Sequence, residues 1–177
     1  MKSFFAVPLT LCCLAALSAQ AETPLAANDA PANSIRDNRP HKRPGELSVM
    51  GYLPWYYGFG FGVTARYAIP IVHDGFIPTI NNSVTIEPGL AIEYATYSGF
   101  SYTLITPYVV GAWNFYFSDQ WRAYGGIGAG FHVGSDYGGS RVYIDPVVGG
   151  YYKLNPSLSL RGEVGYGGPK FGLSFAF

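Results

Sequence analysis

The chain has 177 residues, with 11 Lys and Arg against 11 Asp and Glu and only 12% of residues charged, which excludes a nucleic-acid binder that relies on a basic surface. Aromatic residues at 17% and 23 glycines are the informative excesses. Both cysteines, Cys12 and Cys13, fall in the first segment, so the remainder holds neither a disulfide nor a thiolate metal site.

That first segment is a basic Met1-Lys2, an apolar run from Phe4 to Leu17, and Ala19-Gln20-Ala21 at the −3 to −1 positions. It predicts a signal peptide over 1–21, cleaved before Glu22. The run is shorter than the ~20 residues that a bilayer-spanning helix needs. Leu11 before Cys12 does not suit a lipid-anchor site. Residues 22–46, rich in Ala, Asn, Pro and balanced charge, show no apolar period and are expected to form a disordered periplasmic arm; the basic residues from Arg36 to Arg43 read as part of a solvated tail.

From there to the end, apolar residues alternate with small or polar ones in stretches separated by turn signals, and no stretch sustains a helical period. Leu47 to Leu53 is the candidate first strand. Tyr57 to Ile69 sets Phe59, Phe61, Val63, Tyr67 and Ile69 against Gly58, Gly60, Gly62, Thr64 and Arg66. Val84 to Tyr97 sets Ile86, Leu90, Ile92 and Tyr94 against Thr85, Glu87, Gly89, Ala91 and Glu93. Tyr102 to Phe117 is apolar on both parities, with Pro107, Val109, Trp113 and Phe115 placed outward and Asn114 inward. Trp121 to Val133 follows the turn Ser118-Asp119-Gln120. Val142 to Leu154 and Leu158 to Tyr166 flank the turn Asn155-Pro156-Ser157, and Phe171, Leu173, Phe175 and Phe177 form the greasy face of the last strand.

Between Tyr57 and Phe177, outside the turns, Arg66, Glu87, Glu93, Arg122, Arg141, Asp145, Lys153, Arg161, Glu163 and Lys170 all fall on the non-greasy parity. That parity also carries the glycines, alanines and serines that suit a cramped interior. Arg or Lys facing lipid at mid-bilayer costs up to ~2–4 kcal/mol, so a charge-free greasy parity fits a lipid face. Trp55, Tyr56, Tyr57, Trp113, Tyr116, Trp121, Tyr151 and Tyr152 suit interfacial aromatic girdles. The expected fold is therefore all-β, an eight-stranded antiparallel up-and-down transmembrane β-barrel over 47–177. An even strand count puts both ends, and the long Pro70 to Ser83 connection, in the periplasm, and Gly134 to Ser140 outside.

The terminal Phe171-Gly172-Leu173-Ser174-Phe175-Ala176-Phe177 resembles the assembly signal of small outer-membrane β-barrels, the family typified by OmpX and the OmpA transmembrane domain. Pro107 to Gln120 and Tyr151 to Ser157 are similar to its strand and periplasmic-turn units. The resemblance implies a Gram-negative outer-membrane location. It also implies contact with outer-membrane lipids and lipopolysaccharide, and insertion by the barrel-assembly machinery through Phe171, Leu173, Phe175 and Phe177. The peptidoglycan-binding domain of full-length OmpA has no counterpart here.

The candidate site is a lumen polar network of Arg66, Glu87, Glu93, Arg122, His132, Arg141, Asp145, Lys153, Arg161 and Glu163, whose charges should pair and plug a barrel just wide enough for side chains to fill. The function expected is structural or surface-interacting and non-enzymatic, without cofactor or metal. The alternatives are a narrow pore or small apolar-ligand carrier, or a lipid A-modifying deacylase or acyltransferase. Lipid A deacylase barrels use a His and a Ser two residues later. His132 and Ser135 are three apart and point to opposite faces of a strand, and Ser135-Asp136 reverses the acyltransferase order. Gly58-Phe59-Gly60-Phe61-Gly62 and Gly126-Ile127-Gly128-Ala129-Gly130 are period-two strand faces without G-x-G-x-x-G spacing. His41, His73 and His132 lie in separate segments with no Cys to complete a metal site.

Overall fold

The structure is a computed structural model that describes residues 30–54, 59–97, 100–134, 141–165 and 167–177, with the side chains at 59, 97, 100 and 141 outside the description. The expected strands at Tyr57, Gly58 and Tyr166, the girdle residues Trp55 and Tyr56, the whole leader and residues 135–140 lie outside it.

Eight strands follow one another: β1 Glu46–Tyr52, β2 Phe59–Val72, β3 Asn82–Tyr97, β4 Phe100–Tyr116, β5 Trp121–Gly134, β6 Arg141–Asn155, β7 Leu158–Gly165 and β8 Gly168–Ala176. Each pairs antiparallel with the next, and β1 pairs with β8 from Glu46↔Ala176 to Tyr52↔Lys170, so the sheet closes on itself. Closure leaves no strand edge, the condition for placing a sheet in lipid. The candidate first strand is present with its start one residue earlier, at Glu46. β2 runs past Ile69 to Val72, with a register irregularity between Pro70 and Val72, where the proline has no N–H to give the ladder.

Burial is inverted relative to a water-soluble protein. The largest fully buried side chains include Arg66 and Arg161, at 1% exposure, whereas Val142 is 82% exposed and Phe171 69%. Water would disfavour such a continuous apolar exterior; lipid is the solvent it matches. The ambiguous β4 resolves as expected: Val109 is exposed and Asn114 buried, while Tyr102, Leu104, Val110 and Ala112 make the inward parity apolar too. They pack into two small inner clusters, Val110 and Ala112 with Tyr124, Val147 and Tyr151, and Leu104 and Tyr102 with Ala95.

Inward glycines make room for rings. A Cβ on Gly62 would collide with the Tyr52 ring, and one on Gly149 with the Tyr124 ring and hydroxyl. The turns at 73–81, 117–120 and 156–157 lie at the same end as the two chain termini of the barrel, where the Phe177 amide donates to Gly45 O at 3.1 Å. The longest of them is thus at the expected end.

The segment before β1 departs from expectation. Residues 30–45 are ordered against that end, so the disordered arm of 22–46 is corrected over these residues; 22–29 lie outside the description. Asp37 is 1% exposed, and its carboxylate accepts from Arg39 Nε and Nη2, both at 2.7 Å, and from the Asn33 amide at 2.6 Å. The Arg39 guanidinium hydrogen-bonded to it holds the Asp37 carboxyl well below the usual carboxylate range. The folded turn docks through Asn81, whose amide donates to Ile35 O at 2.8 Å and whose side chain donates to Ser34 O and accepts from Arg43. His41 N donates to Asp74 Oδ1 and Arg43 N to His73 Nδ1. Backbone groups of the arm are satisfied by the barrel turns, which is why a stretch without apolar period is still fixed.

Candidate functional site

The described inward side chains fall into three tiers along the barrel. At the termini end, Glu46, the first residue of β1, faces inward with Ser48 and takes both guanidinium nitrogens of Arg122 on β5, at 2.7 and 2.5 Å. Arg122 lies flat over the Tyr151 ring, 3.6 Å from its centroid, and Arg43 from the docked segment lies over Tyr116 at 3.7 Å. Tyr116 and Tyr151 are therefore lumen residues and not members of an aromatic girdle. Tyr151 is 3% exposed, because its parity on β6 is that of Asp145. Trp121 and Tyr152 do remain on the outer side and pack together, with ring centroids 4.8 Å apart.

The middle tier is an ion network. Arg161 on β7 donates to Glu87 Oε2 at 2.7 Å, to Ser48 Oγ at 2.9 Å and to the Tyr124 hydroxyl at 3.0 Å, with its guanidinium 4.7 Å from the ring centroids of both Tyr124 and Tyr151. Arg66 on β2 is bonded to Glu163 and approaches Glu87 at 3.6 Å. Tyr124 donates to Glu163 at 2.6 Å, and Lys170 on β8 bridges Glu163 at 2.9 Å and Asp145 at 3.5 Å. Three cations, Arg66, Arg161 and Lys170, thus face three anions, Glu87, Glu163 and Asp145. Buried charges are tolerated where they are paired and hydrogen-bonded in this way.

The third tier, toward the end opposite the termini, is looser and encloses a cavity of ≈ 60 Å³ lined by Tyr52, Thr64, Glu93, Tyr108, His132 and Tyr143 among others. Tyr52 donates to Glu93 Oε2 at 3.1 Å, and Thr64 bonds Tyr108. A second cavity of ≈ 180 Å³ opens at the termini end beside Arg43, Glu46 and Arg122, and no side chain lines both. Asp145 and Lys170 of the ion network line the first cavity, and Arg122 and Tyr151 of the lower tier line the second.

Of the residues expected in the network, Arg66, Glu87, Asp145, Arg161 and Glu163 are brought together, with Arg122 one tier below. Three are not. Lys153 has the inward parity, but at the end of β6 it is exposed beside the termini-end opening, where water solvates its ammonium. Among the described residues His132 makes no ion pair: Nδ1 is 2.9 Å from Thr106 Oγ1 and the ring stacks on Tyr143 with centroids 4.7 Å apart. Glu93 lines the upper cavity, as does Lys170, and among the described residues it forms no ion pair. Arg141 pairs in register with His132, and its side chain is outside the description, as are Ser135 and Asp136. Among the described residues no group of three or more His, Cys, Asp or Glu could hold a metal ion.

Sequence reasoning left Glu46, Lys170 and the inward-parity tyrosines Tyr124 and Tyr151 out of the network. The signal was present in parity: Glu46 shares the phase of Ser48, and Tyr124 that of Arg122.

No known family model matches the chain, and no curated protein matches it. Among solved structures, a de novo designed transmembrane β-barrel is similar with a TM-score of 0.52 at 17% identity, over 78% of this chain and 100% of the designed one. The outer membrane protein Ail of Yersinia pestis, in a phospholipid bilayer nanodisc, aligns with a TM-score of 0.41 at 16% identity, over 77% of this chain and 100% of its own. The designed barrel supports the transmembrane fold and nothing finer.

Proposed function

We propose that the protein is an outer-membrane β-barrel of a Gram-negative envelope that acts as a non-conducting structural or surface-interaction element, not as an enzyme. The observation that carries the reading is the middle tier: paired charges from β2, β3, β6, β7 and β8, with Tyr124 of β5, meet across the lumen and separate the two cavities. The leader over 1–21 fits export, the apolar exterior fits outer-membrane lipid and lipopolysaccharide, and the terminal Phe171, Leu173, Phe175 and Phe177 face, exposed in the barrel, fits recognition by the barrel-assembly machinery.

Planar-bilayer recording on the refolded full chain tests the closed lumen. No stable conductance is expected, and a stable large conductance overturns the reading. Fractionation should recover the protein with outer-membrane vesicles after detergent extraction; a freely soluble product rejects the location. Deletion should leave the lipid A mass spectrum unchanged, since His132 is engaged by Thr106 and Tyr143 and carries no acidic partner among the described residues.

A further inference from the structure

The cavity at the end opposite the termini is built around a carboxylate that forms no ion pair with any described side chain. Glu93 is 8% exposed and lines the cavity; Oε2 accepts from Tyr52, while Oε1 has no hydrogen-bond partner. The nearby titratable groups are otherwise committed. Lys170 is shared by Glu163 and Asp145, Arg66 and Arg161 are held by Glu87 and Glu163, and His132 by Thr106 and Tyr143. Asp145 and Lys170 line the same cavity but pair with each other, so among the described side chains Glu93 has no ion-pair partner, and burying one oxygen of a carboxylate unpaired is costly.

We propose that this cavity binds a small primary ammonium ion, with Glu93 as its counter-ion. The surroundings suit that head group. Tyr52, Tyr108 and Tyr143 border the cavity with hydroxyl acceptors and ring faces, and a protonated amine both donates hydrogen bonds and is drawn to aromatic faces. Pro54, Ala91 and Gly167 supply apolar wall for a short carbon stem. The space, ≈ 60 Å³, holds on the order of four or five water molecules, so a stem of a few carbons fits and a bulky ligand does not. The site needs only the cavity, and stands whether or not the lumen below conducts.

The test uses the refolded full chain in detergent at about pH 8, well above the usual carboxylate range, with ring-labelled tyrosine followed by NMR. Titration with n-propylammonium chloride should shift the Tyr52 and Tyr143 signals saturably, while n-propanol, the uncharged analogue, should bind about tenfold more weakly or not at all. Glu93→Gln, checked for retained heat-modifiable gel migration, should lose the response. Equal response to the alcohol, an unchanged response in Glu93→Gln, or no saturation overturns the proposal. Arg141 follows β5 across the same end of the barrel. If binding appears only in Arg141→Ala, Glu93 is already neutralised from within the chain and the proposal fails.

Discussion

The guanidinium of Arg43 lies 3.7 Å from the ring centroid of Tyr116, joining the segment before the barrel to the last residue of β4. Arg43 also donates to the Asn81 side chain, so one residue ties the arm to both the 73–81 turn and the lumen. Arg43→Ala should weaken docking by ~1–2 kcal/mol and leave the strands paired. Trypsin cleavage after Lys42 should accelerate about tenfold without loss of barrel migration on gels; an unchanged rate contradicts the docking.

Docking should also depend on pH. The Asp37 carboxyl is held below its ordinary value when it accepts from Arg39 and the Asn33 amide, and returns to about 3.9 when the arm is free. A depressed folded value means stability that is present above the free value and is lost as pH falls through and below it. Amide exchange at Asn81, which donates to Ile35 O, should therefore stay slow at neutral pH and, after correction for intrinsic rates, lose protection progressively below about pH 4. Asp37→Asn should lower protection at neutral pH and flatten the dependence.

Arg161 has the most partners in the middle tier, and removing it takes from Glu87 its 2.7 Å partner, leaving the Thr85 hydroxyl and the longer 3.6 Å approach of Arg66. Arg161→Leu should cost ~3–5 kcal/mol in urea unfolding, as for loss of one member of a buried pair. Adding Glu87→Leu should recover part of that loss. Additive losses would show that the two do not act as a pair.

Deleting residues 22–44 should leave the barrel non-conducting, because the ion network lies beyond the arm. Combining that deletion with Arg66→Ala and Arg161→Ala should open a measurable conductance. Conductance from the deletion alone would move the seal from the network to the arm.

The outer surface gives a depth test. Ile127 is 65% exposed on β5, near mid-strand, and Val142 is 82% exposed at the start of β6. Ile127→Arg should cost ~2–4 kcal/mol in bilayers, and Val142→Arg at most about 1. Equal penalties would mean that these residues do not sit at different depths.

The barrel was legible because a strand shows its two faces in alternate residues, and β8 writes them plainly as Phe171, Leu173, Phe175 and Phe177 against Lys170, Gly172 and Ser174. Even β4 follows this rule once Asn114 sets its phase. Parity does not say how far along a strand a side chain sits, so it assigns Lys153 to the lumen although that side chain is exposed at the barrel end. It also cannot say which charges meet: Glu46 reaches Arg122 across a separation of 76 residues. The arm was invisible for a different reason. Its order comes from single polar groups such as Asp37 and from backbone donors on another segment, and these have no period.

The seam between β1 and β8 joins Glu46 to Ala176, neighbours that lie almost the whole barrel apart along the chain. All other pairings are between consecutive strands, so seven can zip in turn while this one must wait for the final strand. Until then both terminal strands offer bare amides and carbonyls to whatever lies beside them, an invitation to pair with another chain. Loop-closure entropy also makes so distant a pairing slow. A chain released early would carry an open hairpin array with its greasy side out, prone to clump before it could insert, which makes the time between synthesis and sealing the vulnerable interval in the life of this molecule.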